Sequence, residues 1–270
     1  MIKCSVCILT YNNEDTLEKA LGSVKDFSDL VILDGGSTDN TLEIAKKFNV
    51  RVFPQADTVG KIGDFTLVRK KLFSLANESW VLWLDSDEWL SNDAISNIKN
   101  IVEKNEAGLY SFIRKIVIGD KIIEHAYFYP EYCKRLWSKS ANIELKKGKR
   151  VHENLTVKEG IKQEKISSII YHSWWESYKQ LIKKDNYYLN LTVEGKEYFN
   201  FLKRLRVAYI NALKAIKVLL KSLFIYFRYG FKKSLPILYS WRFVRYHLIY
   251  AKKILFLRHV IPAKAGIQKK

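Results

Sequence analysis

Apolar runs and helical patterns alternate along the first hundred residues. "SVCILT", "LVILD" and "WVLWLD" are typical of buried strands, and "VRVF" of a shorter one. Between them, the spacing of apolar residues predicts helices at about Glu14–Val24, Thr41–Phe48 and Gly63–Leu75. "GGSTDN" is rich in turn formers. This order predicts an α/β fold with a mostly parallel sheet and helices on both faces.

Polar residues stand at the ends of three of these predicted strands. They supply hydroxyls, an amide and carboxylates: Thr10, Tyr11, Asn12, Asp34, Asp85, Ser86, Asp87 and Glu88. Ligands of such sheets bind beyond the carboxyl ends of the strands. One acidic strand end would be an ordinary turn, but several at one edge predict a binding site.

The rest of the chain changes character twice. Residues 107–171 are predicted to be rich in strands, with "GLYSFIRKIVIG", "IIEHAYFYP" and "ISSIIYHSW". Beyond about residue 175 the apolar period becomes helical. We therefore expect an α/β domain over residues 1–175, basic amphipathic helices over 176–262, and a frayed tail over 263–270.

Charge is distributed very unevenly along the chain. Of 46 Lys and Arg residues, 17 follow Glu197, where no acidic residue occurs; the preceding part has 29 basic residues against 28 acidic ones. A neutral body with a cationic, aromatic end indicates an anionic partner for that end, either phospholipid or nucleic acid.

The basic region is too charged to be a typical membrane-spanning helix. Residues 199–227 keep apolar residues at helical spacing, but six Lys and Arg residues recur among them. Trp241 and Tyr246 among Arg242 and Arg245 repeat the aromatic and basic pattern. We expect these helices to lie in the interface of an anionic membrane. The alternative is that they pack on the α/β domain and expose a basic face.

The three cysteines indicate no disulfide framework. Cys4 and Cys7 have the spacing of a zinc-ligand pair, but no second pair completes such a site. In a strand, positions three apart point to opposite faces, so plain burial is the better interpretation. The N-terminus has no signal-peptide pattern, and we expect a cytoplasmic location, peripheral on the inner face of the cell membrane.

Asp85-Ser86-Asp87 is the most informative short segment. Two carboxylates two residues apart, directly after a buried strand, offer hard oxygen ligands to Mg²⁺ or Mn²⁺. A cation held there would neutralise the charge of a departing diphosphate. An isolated DxD pattern is weak, because acidic pairs are common in loops.

The pattern is not isolated. "CILTYNNEDTLEKALGSV", "VILDGGSTDNTLEIAKKF" and "WVLWLDSDEWLS" resemble, in order and spacing, the opening of the family 2 glycosyltransferases with the GT-A fold. "YPEYCKRLW", "VHENL" and "YHSW" extend the likeness to about residue 175. The longer set is similar to small bacterial enzymes related to lipopolysaccharide-core glucosyltransferases.

The resemblance implies a nucleotide-diphosphate sugar donor, Mg²⁺ or Mn²⁺, and inversion at the anomeric carbon. The implied donor-binding residues are Thr10, Tyr11, Asn12, Asp34, Arg69, Asp85 and Ser86, with Asp85 and Asp87 also holding the metal. Arg69 has an alternative interpretation as a solvated residue of "VRKK". Many relatives have a second acid after the second strand, where this chain has Gly35, so the nucleobase, often uracil, stays open.

Inverting transfer needs a base that removes the proton of the acceptor hydroxyl. The resemblance implies Glu153 in "RVHENL", with Glu88 and Glu131 as alternatives. His152 and His172 are candidates for a further metal ligand or for a donor to phosphate. Arg135, together with Glu88, is a candidate for contact with an acidic or phosphorylated acceptor. The implied acceptor is a lipopolysaccharide-core or other cell-envelope glycan or lipid-linked glycan.

Two other functions compete with glycosyl transfer. A sugar nucleotidyltransferase could share the α/β sheet, but "CILTYNNEDT" lacks the expected Gly-rich phosphate loop. A nucleic-acid-binding protein could use the basic end. Carboxylates at the strand ends argue against nucleic acid, because they repel phosphate unless a metal intervenes.

Overall fold

The computed structural model describes residues 1–55, 65–145, 155–174, 177–194 and 196–257. The chain divides into two compact units. The first comprises Met1–Lys121 and Pro130–Trp174, and the second Ile122–Tyr129 and Trp175–Lys270. The second unit thus includes Ile122–Tyr129, a segment that the sequence predicts to be in the strand-rich region.

The N-terminal part of the first unit alternates strands and helices as predicted. Its elements are β1 (Ile2–Thr10), α1 (Glu14–Ser23), β2 (Phe27–Asp34), α2 (Thr41–Lys47), β3 (Arg51–Pro54), α3 (Phe65–Ser74) and β4 (Trp80–Trp83). β1 pairs in parallel with both β2 and β4, and β2 pairs in parallel with β3. The carboxyl ends of these strands therefore meet at one edge of the sheet.

The later elements widen this sheet with both antiparallel and parallel pairings. They are β5 (Glu88–Leu90), α4 (Asn92–Lys104), β6 (Gly108–Ile118), β7 (Lys121–Ile122), β8 (Glu131–Ser138), β9 (Glu144–Leu145), β10 (Leu155–Thr156) and β11 (Lys162–Ser173). The strand order is β3-β2-β1-β4-β8-β6-β11-β5. β8 runs antiparallel to β4 and β6, and β5 antiparallel to β11. The predicted α/β fold with a mostly parallel central sheet and helices is confirmed.

Two apolar cores cover the two faces of the sheet. Val6 and Ile8 of β1 pack with Leu17 of α1 in one core, whereas Cys7 packs with Leu72 of α3 in the other. This alternation follows from the two-residue period of a strand. Cys4 and Cys7 are both fully buried and belong to different cores, as their spacing predicted.

The second unit is mainly helical. α5 (Tyr178–Val193) begins with a capping box between Ser177 and Gln180, and α6 (Phe201–Tyr229) begins at the cap Asn200. α6 ends at Gly230, whose positive φ of 73° suits glycine. α7 (Ile237–Leu255) follows. No helix in the described ranges combines the length and the apolarity needed to span a membrane.

One predicted strand is wrong. "IIEHAYFYP" continues β7 only at Ile122, and the remainder is irregular apart from a single bridge between His125 and Ser234. Its apolar side chains are used by the helical unit instead: Tyr127 packs edge to face with Phe243 of α7. Aromatic residues packed on a helix have the composition of a strand, so composition alone could not separate the two cases.

Candidate active site

Asp34 organises the loop that follows β2. Its side chain is buried, and Thr10 Oγ1 of the adjacent strand donates to its Oδ1 at 2.9 Å. The backbone N–H groups of Gly36 and Ser37 each donate to Oδ2 at 2.8 Å, and Ser37 Oγ donates to Oδ1 at 2.6 Å. Asp34 therefore fixes the conformation of the loop after β2, because its two carboxylate oxygens accept hydrogen bonds from that loop and from Thr10 of β1.

Asn12 ties the loop after β1 to the loop after β2. It has a positive φ of 52°, and its backbone N–H donates to Ser37 Oγ at 2.9 Å. Its side-chain oxygen accepts from the N–H of Thr38 at 2.8 Å. Asn is among the residues that tolerate this backbone conformation best. Tyr11 beside it is 45% exposed, so its ring is available to a ligand.

The carboxylate of Asp85 is paired with a buried arginine. Arg135 Nη2 donates to Asp85 Oδ2 and to Glu88 Oε1, both at 2.6 Å. The side chain of Glu88 is fully buried, whereas that of Asp85 is 35% exposed. Burial alone would raise the pKa of Asp85, but the charges of Arg135 and Arg69 outweigh it and hold that pKa well below its usual range.

Asp87 lies beside a histidine from β11. His172 Nε2 is 3.3 Å from Asp87 Oδ2, and the backbone N–H of Ser173 donates to the carbonyl of Asp87 at 2.8 Å. Burial lowers the pKa of His172, but the hydrogen bond and charge of Asp87 outweigh it, so that pKa lies above its ordinary value. Ser86, between the two acids, is half-buried.

Arg69 and Arg135 flank one aromatic ring. Each guanidinium carbon lies 4.5 Å from the ring centroid of Trp83, a residue of β4. Trp83 Nε1 donates to Asp85 Oδ1 at 3.1 Å. Burial lowers the pKa of Arg69, opposed by the charge of Asp85. The structure thus brings Arg69 to the acidic strand end.

Two connections in this region escaped the sequence analysis. Arg114 of β6 forms a two-pronged hydrogen bond with Glu131, at 3.2 and 2.7 Å, and its Nη1 lies 3.6 Å from Glu88 Oε1. The contacts of Trp83 with Asp85, Arg69 and Arg135 were not predicted either, because the sequence places Trp83 in a buried strand like any other core residue. No local pattern marks Arg114, because its partners come from other strands. The two residues expected to contact the acceptor, Glu88 and Arg135, are both buried and bonded to each other.

Two predicted site residues, His152 and Glu153, lie outside the described residues. In the part of the chain that the structure describes, no group of three or more His, Cys, Asp and Glu side chains gathers as a ready cation site. His172 Nδ1 is buried and has no hydrogen-bond partner there. The carboxylates of Asp85 and Asp87 suit Mg²⁺ or Mn²⁺ when substrate phosphates supply the remaining ligands, so the oxygen donors fit such an ion, with the imidazole as a softer additional ligand.

Comparisons with known proteins agree on the family. The model of "Glycosyl transferase family 2" matches residues 5–167. An uncharacterised glycosyltransferase of Rickettsia typhi is 30% identical over 249 residues, which cover 86% of this chain and 80% of the relative. A Mycoplasma pneumoniae homologue is 32% identical over 183 residues, 62% of this chain and 59% of its own.

Among solved structures, Staphylococcus aureus TarS 1–349 in complex with UDP is 15% identical and has a TM-score of 0.49. The match covers 93% of this chain and 90% of that one. The family match spans more than half of the sequence and includes the ends of β1, β2 and β4. The chain therefore belongs to glycosyl transferase family 2.

Proposed function

We propose that this chain transfers a sugar, with inversion, from a nucleotide-diphosphate donor to a cell-envelope glycan or lipid-linked glycan. One observation carries the proposal: the loops after β1, β2 and β4 lie at one sheet edge, where Asp34 holds the loop after β2 and where Asp85 and Asp87, with His172 beside Asp87, follow β4. Sheets of this kind bind their ligands at that edge.

The donor is assigned to the loops after β1 and β2. The exposed ring of Tyr11 can stack on a nucleobase, while Thr10, Asn12 and Asp34 hold the loop backbone in place. Arg69 contributes positive charge for the diphosphate. A uridine nucleotide is the first candidate for the donor. Because this chain has Gly35 where many relatives have an acid, groups other than a carboxylate at that position would have to recognise the base.

Asp87 and His172 are the proposed protein ligands of Mg²⁺ or Mn²⁺, together with Asp85. Such an ion, when bound, stabilises negative charge on the leaving diphosphate. Arg135 keeps the oxygens of Asp85 oriented through its 2.6 Å bond. We therefore assign Arg135 to positioning rather than to the acceptor, because its side chain is buried.

Glu153 is the proposed base. Glu88 is fully buried between Arg135 and Arg114, and Glu131 is held by two hydrogen bonds from Arg114. Neither is placed to accept a proton from a bulky acceptor. In the proposed step the acceptor hydroxyl gives its proton to Glu153 while its oxygen bonds to the anomeric carbon. The bond from that carbon to the diphosphate breaks, and its electron pair leaves with the diphosphate.

The acceptor is assigned to the cell envelope. The motifs that resemble the lipopolysaccharide-core enzymes support this class, and so does the cationic end of the chain. With 17 basic and no acidic residues after Glu197, that end complements anionic lipid. The proposed location is therefore peripheral, on the cytoplasmic face of the cell membrane.

The decisive experiment incubates the purified chain with a panel of nucleotide sugars and Mn²⁺ and measures nucleoside diphosphate. Release from one donor, even by slow hydrolysis, supports the proposal and identifies the donor. Release of pyrophosphate from a nucleoside triphosphate and a sugar phosphate would indicate a nucleotidyltransferase instead. Tight, salt-sensitive DNA binding without any donor turnover would favour the nucleic-acid alternative.

A further inference from the structure

α6 presents three different faces along its 29 residues. Ala208, Ala215 and Val218 lie on a buried face. A second row at helical spacing is apolar and exposed, and its members are Leu205, Tyr209, Leu213, Ile216, Leu220, Leu223, Phe224 and Phe227. A surface helix of a water-soluble domain normally turns polar residues outward, so this exposed row calls for a partner.

The exposed row ends in an open cleft between α6 and α7. The cleft has a volume of about 690 Å³, within the range of small-ligand pockets, about 300–1,000 Å³. Its walls are almost entirely apolar and include Leu219, Leu223, Phe227, Phe231, Ile237 and Trp241. All six are exposed, and Phe227 is 94% exposed. The cleft thus opens to the outside over large apolar side chains.

A row of cations borders the apolar row. Lys217 and Lys221 are one turn apart on α6, each next in sequence to an exposed apolar residue, and Arg228 continues the row. Lys232 lies in the turn before α7. Neither α6 nor α7 contains an acidic residue. An exposed apolar row bordered by cations, next to an open apolar cleft, complements an amphiphile with an anionic head.

We propose that the end of the α6–α7 hairpin, defined here as Leu219–Trp241, inserts into an anionic lipid bilayer, where one lipid hydrocarbon chain enters the cleft. The bordering cations then lie at the level of the phosphate groups. Trp241 lines the cleft, and its amphipathic ring suits the boundary between the phosphate groups and the hydrocarbon. This inference rests on the membrane association proposed above and assigns it to a defined surface and ligand.

Nucleic acid is the less fitting partner for this surface. Phosphate backbones would use the cations, but they would leave Leu223 and Phe227 facing water. Insertion in lipid removes that apolar area from water as well. The observations therefore favour a bilayer, and binding to DNA becomes an outcome of the test.

The test measures binding of the full chain to vesicles without donor or acceptor, so failure of sugar transfer would not affect it. Vesicles of phosphatidylglycerol and phosphatidylcholine are compared with pure phosphatidylcholine in a flotation assay. We expect at least tenfold stronger binding to the anionic vesicles. Phe227→Asp should lower that binding at least tenfold. Its side chain is almost fully exposed, so the fold should tolerate the change.

Phe201→Asp is the matched control, because Phe201 is also exposed, at 70%, and lies at the opposite end of the same helix. We expect its binding to stay within about threefold of the wild-type value. Equal losses in both variants would overturn the proposal, since the whole helix would then bind without using the cleft. Binding to duplex DNA but not to anionic vesicles would overturn it as well.

Fluorescence reports on the cleft itself. With lipids brominated on their acyl chains, the wild-type chain should be quenched more than Trp241→Phe, because Trp241 lines the cleft. Equal quenching of the two proteins would show that Trp241 does not meet hydrocarbon and would refute occupation of the cleft.

Discussion

Arg135 Nη2 lies 2.6 Å from Asp85 Oδ2 and thereby joins the acidic end of β4 to β8. The same nitrogen donates to Glu88, whose side chain is fully buried. A buried carboxylate that loses its cation is costly, because nothing else compensates its charge. Arg135 therefore bears on both the stability of the unit and the orientation of Asp85.

Arg135→Met should lower the free energy of unfolding by about 3–5 kcal/mol, since it leaves the buried Glu88 carboxylate with a 3.6 Å contact to Arg114 as its cation and a hydrogen bond from the backbone N–H of Asp85. Urea titration measures the change. Glu103→Gln, which breaks an exposed pair with Lys99, is the control and should stay within about 0.5 kcal/mol. A loss below about 1 kcal/mol for Arg135→Met would contradict this role of Arg135 in compensating the buried charge.

Asp87→Asn should lower turnover at least about a thousandfold while the chain stays folded. The change removes a charge but little volume, and each 1.36 kcal/mol of lost transition-state stabilisation costs about tenfold in rate. Steady-state release of nucleoside diphosphate measures it. Asp120→Asn, in an exposed turn, is the matched control and should keep its activity. Near-normal turnover of Asp87→Asn, or of the wild-type chain in EDTA, would contradict the metal assignment.

Glu153→Gln should lower turnover at least about a hundredfold with donor affinity nearly unchanged, as expected for a group engaged only in the transition state. Rates under saturating donor and calorimetric donor binding separate the two effects. Glu131→Gln is the informative comparison, because that carboxylate is already bonded to Arg114. If Glu131→Gln were inactive and Glu153→Gln active, the base would be Glu131.

Asp29→Asn should destabilise the chain at pH 7 by about 1.5–3 kcal/mol, because Asp29 accepts bonds from Ser5 Oγ, Asn77 N–H and Arg51. Burial opposes its ionisation, yet these donors hold its pKa below the ordinary value. The lowered pKa stabilises the fold above the unfolded pKa of about 3.9, and this stabilisation disappears as pH falls through the folded pKa. The difference in urea stability between wild type and variant should shrink in that acid range. A constant difference down to pH 3 would contradict it.

The sequence predicted the elements whose signal is local. β1, α1, β2 and α2 follow from apolar periodicity, and α1 begins with the acids expected of a first turn, Glu14 and Asp15. The family was also recognisable, since its motifs are contiguous. The assignments of donor, metal, base and acceptor residues stay predictions.

The ion-pair network was not predictable in the same way. Arg114, Glu131 and Arg135 lie on two antiparallel strands, and the pairing of β8 between β4 and β6 brings them to Asp85 and Glu88. Such pairings join residues far apart in sequence, so the periodicity of apolar residues does not predict them. The strand predicted at "IIEHAYFYP" is wrong for the same reason, because its aromatic rings pack against helices that lie far away in the sequence.

The pairing of Asp85 with Arg135 also affects how the cation and the donor depend on each other for binding. A divalent cation arriving alone would meet one carboxylate already neutralised and a second beside a histidine, well short of the about six ligands that Mg²⁺ requires. A nucleoside diphosphate supplies phosphate oxygens for the rest. Each ligand should then raise the affinity for the other by the same factor. Cation and donor are accordingly expected to load together, and Mn²⁺ without nucleotide to bind only weakly.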